Sequence, residues 1–133
     1  VFLPLLIGSG GNAGSQSATL VIRSLAVGDV TLKDWFYMLS KETVVASILG
    51  LSMAFGGYIL GIIRGGIEIA SIVAMSMFSI VFIGSIIGIT LPFILTKFKI
   101  DPAISGAPVL TSICDIAGTA IYCAIASVYF ILK

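Results

Sequence analysis

The sequence predicts an all-α fold, a polytopic bundle of transmembrane helices, from three observations. Apolar residues make up 59% of the 133 residues and charged residues only 10%, whereas a soluble domain carries about 25% charged residues. The few charges are clustered and leave four long segments that can each cross a hydrocarbon core of about 30 Å. None of these segments alternates with a period of two, which excludes the strands of a membrane β-barrel.

The predicted organisation is a single transmembrane domain over residues 1–133. Its second span is bounded by Glu42 and Arg64, its third by Glu68 and Lys97. The connection before the second span mixes apolar and charged side chains, which is typical of a short amphipathic helix at the membrane surface. The predicted spans are 1–27, 43–63, 69–96 and 102–132, with the amphipathic connector at 28–42.

Positive charges predict the orientation of the spans. Because the connections are short, neighbouring helices are antiparallel, and alternate connections lie on the same side of the membrane. The positive-inside rule places the more basic side in the cytoplasm and both chain ends outside. An odd number of spans, most simply one, is then expected before Val1 in a parent whose N-terminus is cytoplasmic. The basic side carries Arg23, Lys33, Lys41, Lys97 and Lys99, and the other carries Arg64 and Lys133.

Composition excludes several functions. The chain has no histidine, so histidine catalysis and imidazole-ligated zinc or haem sites are excluded. A net charge of +1 gives no basic surface for nucleic acid. Ser112 and Asp115 share a helix face, but no intramembrane histidine or lysine accompanies them as a base, so we expect no enzyme activity.

The first span contains ten consecutive residues without a large apolar side chain, 8–17. Gly10 and Gly14 have the spacing of tightly packed membrane helices. Asn12 and Gln16 lie four apart on one face, and amides in hydrocarbon are unfavourable unless they meet partners or water. The segment therefore predicts a pore lining, with helix packing as the alternative.

Asp115 is the only acid within a predicted span. In a continuous helix it lies about 21 Å from Asp101 and about 27 Å from Lys133, near mid-membrane. A carboxylate at that depth favours water, a cation or a basic partner, and no other span offers a basic partner. We predict a cation site, with a protonated Asp115 bonded to a hydroxyl as the alternative. The residues that share its helical face are Thr111, Ser112, Gly118, Thr119 and Tyr122.

The start of the fourth span contains Pro102 and Pro108, so the regular helix is expected to begin at either one, with a kinked or open stretch between them. Asp101 precedes it and is predicted to cap the helix, with a cation contact at the cytoplasmic mouth as the alternative.

Four glycines elsewhere have small-xxx-small spacing and predict packing seams: Gly57 and Gly61, Gly84 and Gly88.

Two motifs carry a family resemblance that covers essentially the whole chain. The glycine-rich run at 4–20 resembles the signature of the MgtE family of bacterial magnesium channels. Asp101-Pro102-Ala103 with Pro108, followed by Asp115-Ile116-Ala117-Gly118 and Ile121-Tyr122, is similar to that family's last transmembrane helix.

The resemblance implies a homodimer with five transmembrane helices per subunit and a central pore lined by the second and fifth helices. It implies a magnesium site at Asp115, and it places Asp101 opposite cytoplasmic regulatory domains, where magnesium bridges the two. It further implies that the first transmembrane helix and those regulatory domains belong to a longer parent. The predicted metal-contacting residues are Asp115 and Asp101, and the predicted pore-lining residues are Gly8, Gly10, Gly11, Asn12, Gln16, Ala107, Pro108 and Thr111.

The predicted function is transport of hydrated Mg²⁺ through a pore at a homodimer axis in the cell membrane, with the lipid bilayer as its surroundings. Mg²⁺ usually keeps several waters while one or two carboxylates bind it. One Asp115 from each of two copies fits that chemistry. The alternative is a proton- or sodium-coupled carrier, with Asp115 as a titrating relay. A purely structural subunit would not explain the unfavourable free energy of placing Asp115 within the membrane.

Overall fold

A computed structural model describes residues 2–132, apart from the side chain at position 105. Val1 and Lys133, used above to bound the first span and to count charges, lie outside that range. Within it the chain is helical, without strands, which confirms the all-α prediction. The elements are helix α1 (Leu3–Val27), a short 3-10 turn (Leu32–Asp34), helix α2 (Trp35–Lys97) and helix α3 (Pro102–Ile131).

Helix α2 reverses direction at Gly66. The backbone there has φ 82° and ψ −176°, a conformation that is favourable only for glycine. It divides α2 into a first limb, 35–65, and a second limb, 67–97. The limbs pack closely and antiparallel, because a methyl group at Gly61 would overlap Ala70 and one at Gly57 would lie 3.3 Å from Val73.

Helix α1 packs parallel to the second limb with its backbone almost touching. A methyl group at Gly84 would lie 2.5 Å from the carbonyl oxygen of Gly10, and one at Gly88 would overlap the carbonyl of Gly14. Only glycine on both helices permits this approach. The predicted packing seams at Gly57, Gly61, Gly84 and Gly88 are therefore confirmed.

Helix α3 lies antiparallel to α1 and covers its other flank. Its Gly118 faces Ile7, and its Cys114 faces Gly14. Cys114 and Leu110 are buried in a cluster with Ala18 of α1. Helix α3 also contacts α2, so the helices enclose a common core.

The two ends of the bundle differ in charge. At one end Leu32, Trp35 and Lys97 line a cavity of about 360 Å³. We call it the basic end, because Arg23, Lys33 and Lys97 lie there. At the opposite end Phe2, Arg64 and Phe130 line a cavity of about 370 Å³.

The connector and the second predicted span form one helix. Helix α2 begins at Trp35 and runs through position 43 without interruption, since the stretch contains neither glycine nor proline. The Trp35 indole N–H donates to the Thr90 hydroxyl at 3.4 Å, which ties the start of the first limb to the second limb. The boundary between connector and span at 42–43 stays a prediction.

The outer surface of the bundle is apolar. Large apolar side chains such as Val44, Ile48, Leu51 and Phe55 are exposed on the first limb, the side on which a membrane helix meets lipid. Two helical stretches among the described residues are long and apolar enough to cross a membrane: Leu32–Lys97, which holds both limbs, and Gly106–Ile131.

We predict that Gly84→Ala destabilises the bundle. The added methyl group has no space against the Gly10 carbonyl, and overpacking of this kind costs about 1–3 kcal/mol. The measurement is the apparent melting temperature of the protein purified in detergent. Gly56→Ala is the matched control, because a methyl group there would meet nothing within 4 Å, and its melting temperature should be unchanged or slightly higher. Equal melting temperatures for Gly84→Ala and the wild type would contradict the close backbone contact.

Candidate functional site

Helix α1 turns one face into the bundle and leaves a polar face uncovered. Its buried side includes Leu6, Ala13 and Val21. Asn12 and Gln16, on the opposite side, are both exposed. Asn12 and Gln16 line a cavity of about 230 Å³ that α1 forms with Leu49 and Met53 of the first limb.

The glycines of α1 fall into two groups. Gly10 is buried, and a methyl group there would lie 2.5 Å from the Ile80 side chain, whereas a methyl group at Gly8 or Gly11 would meet nothing within 4 Å. Packing inside this chain requires glycine at Gly10 but not at Gly8 or Gly11. The sequence groups Gly10 with the pore-lining positions. The structure places it in the buried seam with the second limb, away from Asn12.

Asp115 lies near the middle of α3. It is 14 residues after Asp101 and 16 before Ile131, about 21 Å and 24 Å at 1.5 Å per residue. Its side chain is half-buried. Within residues 2–132 the carboxylate has no hydrogen bond or ion pair; the Thr119 hydroxyl donates to the backbone oxygen of Asp115 instead.

Asp115 lies between the residues through which α3 contacts α1, Cys114 and Gly118. Cys114, its neighbour in sequence, faces Gly14, and Gly118 faces Ile7. Gly11 lies between Ile7 and Gly14 on the same face of α1, because residues three and four apart share a face. Asp115 and the open side of Gly11 therefore border one groove, which we call the α1–α3 groove.

The N-terminal part of α3 extends this groove toward the basic end. Ala107, Pro108 and Thr111 are exposed, and the Thr111 hydroxyl donates to the Ala107 carbonyl at 2.9 Å. The helix begins at Pro102 and continues through Pro108, so the predicted open stretch between the two prolines is absent. Pro108 has no N–H and leaves the Ile104 carbonyl without its helical donor.

Asp101 caps helix α3, as the sequence predicts. Its carboxylate accepts the backbone N–H of Ala103 at 2.9 Å. It is exposed at the basic end, about 21 Å along the helix from Asp115. The structure therefore does not bring the two predicted metal-contacting residues together.

Few side chains around Asp115 could act as metal ligands. In the described part of the chain no three acidic, cysteine or histidine side chains come together as a metal cluster. A single carboxylate supplies only one or two of the ligands in the octahedral shell of Mg²⁺, so an ion bound to it would keep most of its water. It is suited to contact an ion through the ion's own water.

One polar contact was missed by sequence reasoning. The Ser17 hydroxyl on α1 donates to Oε1 of Glu42 on the first limb at 2.5 Å. In the sequence Glu42 marks only the boundary of the second span, whereas in the structure its side chain contacts α1. The uninterrupted helix-forming stretch from Trp35 to Thr43 is the signal that could have placed it inside the bundle.

Comparison with known proteins agrees with this architecture. The family model for MgtE, described as divalent cation transporter, matches residues 3–125. The chain is 38% identical over 127 residues, 94% of its length, to the magnesium transporter MgtE of Thermus thermophilus, and 33% identical over 129 residues, 96% of its length, to that of Bacillus subtilis. It spans only 28% and 29% of those relatives.

The match extends over nearly the whole chain, including the glycine-rich helix α1 and the Asp115 region of α3. It agrees with an all-helical membrane protein whose family transports ions and is not a family of enzymes. The chain belongs to the MgtE family of divalent cation transporters.

Proposed function

We propose that this chain forms the pore of a magnesium transporter in which two copies carry hydrated Mg²⁺ along a shared axis. The observation that carries the proposal is Asp115, a mid-helix carboxylate without a protein partner among the described residues, beside the open glycines of α1. Relatives at 38% and 33% identity are named magnesium transporters, which supports Mg²⁺ as the substrate.

The uncovered polar face supports the dimer. Asn12, Gln16 and Asp115 are only partly covered by the described residues, and such groups are unfavourable against lipid. A second copy related by a two-fold axis would bring the same face opposite itself. The two faces would then enclose a water-filled path with one Asp115 on each side.

The water shell of Mg²⁺ determines how the ion passes the proposed site. Mg²⁺ gives up its inner waters reluctantly. Two Asp115 carboxylates attract the hydrated ion, while the Asn12 amide and the carbonyls near Gly8 and Ala107 accept hydrogen bonds from its outer waters. Because no dense acidic cage holds the ion, binding stays weak enough for release.

The basic end of the bundle is the proposed cytoplasmic side. The positive-inside rule places the basic end in the cytoplasm of a multi-pass protein in the cell membrane. Asp101, exposed at that end, would face the cytoplasmic regulatory domains of a longer parent, where Mg²⁺ bridges them to the pore. The curated relatives are more than three times as long as the matched segment, which leaves room for such domains.

Asp115→Asn, introduced into the full-length parent, should lower Mg²⁺ uptake into proteoliposomes at least about tenfold, because the isosteric amide removes the charge that attracts the ion. Asp29→Asn at the surface is the control and should transport like the wild type. Driving uptake with a Mg²⁺ gradient alone, without proton or sodium gradients, separates a channel from a coupled carrier. Wild-type uptake by Asp115→Asn would overturn the proposed function.

Gly11→Leu should block transport without destabilising the protein. A methyl group at Gly11 would meet nothing within 4 Å, and the longer leucine side chain would extend into the α1–α3 groove. Gly56→Leu, at a position on the first limb where an added methyl group also meets nothing within 4 Å, should keep normal uptake. The pair is compared by uptake and by melting temperature. A Gly11→Leu variant with normal uptake would place the ion path elsewhere.

Selectivity should depend on the size and charge of the ion together with its water shell. Hexaamminecobalt(III) carries an inert shell of similar size and cannot shed it, so it should occupy the site and inhibit Mg²⁺ uptake. Ca²⁺, which has longer bonds and looser hydration, should compete poorly. Uptake that is inhibited by Ca²⁺ and insensitive to hexaamminecobalt(III) would contradict outer-shell recognition.

A further inference from the structure

The cavity at the basic end combines an apolar wall with a cation. Its volume of about 360 Å³ falls within the range of about 300–1,000 Å³ that is usual for sites of small molecules. We call it the basic-end cavity, and the described residues that line it are Leu32, Trp35, Thr90, Phe93, Ile94 and Lys97. Among these residues only Lys97 is charged.

The cation lies at the outer end of the apolar wall. Positions 90, 93, 94 and 97 have the spacing of one helical face, and they extend over about 10 Å of the second limb. Lys97 is in the last turn of that limb, at the end of a stretch that is long and apolar enough to cross a membrane. The wall therefore runs inward from the membrane surface, with Lys97 at the surface and Thr90 at the inner end.

The cavity is open to its surroundings. Leu32 on the 3-10 turn and Ile94 on the second limb are each 45% exposed. Between them Trp35 is half-buried, and its indole N–H reaches the Thr90 hydroxyl at 3.4 Å. Tryptophan is enriched where a membrane meets water, because its ring is apolar and its N–H polar. These features favour contact with lipid at the level of the headgroups.

Lys97 is available to an anion. It is exposed, and within residues 2–132 it forms no ion pair. The end of α2 does not depend on it, because the carbonyls of Leu95 and Thr96 accept the backbone N–H groups of Ile100 and Lys99 at 2.9 and 3.0 Å. An ammonium group at the mouth of an apolar cavity favours a negatively charged partner there.

Three acids at this end are held by other donors. The Asp34 carboxylate accepts the backbone N–H and the hydroxyl of Thr31 at 2.8 and 2.9 Å, which keeps it in the 3-10 turn. Glu42 and Asp101 accept the hydrogen bonds described above. None of the three forms an ion pair with Lys97 in the described part of the chain.

We propose that the basic-end cavity binds an anionic phospholipid, with its phosphate at Lys97 and an acyl chain along the wall toward Thr90. A soluble anion would leave the apolar wall in contact with water, and an apolar helix would leave Lys97 without an anion. An anionic phospholipid supplies both parts in the required order from the membrane surface inward. Basic pockets between transmembrane helices are typical sites for the headgroups of such lipids. The bound lipid would join the 3-10 turn to the second limb.

The test measures tryptophan fluorescence of the full-length parent in vesicles of phosphatidylglycerol and phosphatidylcholine with the same acyl chains. Brominated acyl chains quench an indole that they contact, and subtracting the emission of Trp35→Phe isolates the contribution of Trp35. Mixtures in which only one of the two lipids is brominated give their relative affinity. Phosphatidylglycerol should be preferred about fivefold, the effect of one basic residue near a membrane surface.

Variants of the cation separate this site from general attraction to the basic end. Lys97→Gln should abolish the preference for phosphatidylglycerol, and Lys97→Arg should retain it. Lys41→Gln is the matched control, because Lys41 does not line the cavity and its Nζ lies over the Tyr37 ring, 4.5 Å from the ring centre. Equal affinities of the two lipids for the wild type, or an unchanged preference in Lys97→Gln, would overturn the proposal.

Two further outcomes would identify a different occupant. Excess glycerol phosphate, which has no acyl chain, should leave the preference unchanged; loss of the preference would show a site for a soluble phosphate and overturn the proposal. Absence of quenching at Trp35 would show that another segment of the parent covers the cavity, and the proposal would fail as well. Lipid binding here is independent of the ion path, which Asp115→Asn tests separately.

Discussion

The contact of glycine backbones between α1 and the second limb of α2 determines the orientation of everything else. Gly10 and Gly14 lie against Gly84 and Gly88 with no space for a side chain. This contact fixes the rotation of α1 about its own axis. Because the glycine face points inward, Asn12, on the opposite side, must point outward.

The same geometry explains why a single helix contains glycines of two kinds. Gly10 serves packing, since any side chain there would separate α1 from the second limb. Gly11 follows it by one residue, about 100° around the helix, and a methyl group there would meet nothing within 4 Å. An open position thus adjoins the packing seam, and neither requires a break in the helix.

Most of the fold could be predicted from the sequence, because it depends on local composition and spacing. The helical class, the glycine seams and the Asp101 cap are all confirmed. The open stretch before Pro108 was wrong, because a proline in the first turns of a helix removes one hydrogen bond without ending the helix. In the described residues the Asp115 carboxylate has no hydrogen bond or ion pair, and its contact with an ion remains a proposal.

The Ser17–Glu42 contact could not be predicted, for a physical reason. It joins residues 25 positions apart and depends on how far the first limb extends along α1. A charge next to an apolar run is ordinarily read as the end of a span, because charged groups favour water. Here a hydroxyl on the facing helix allows the charge to remain further inside.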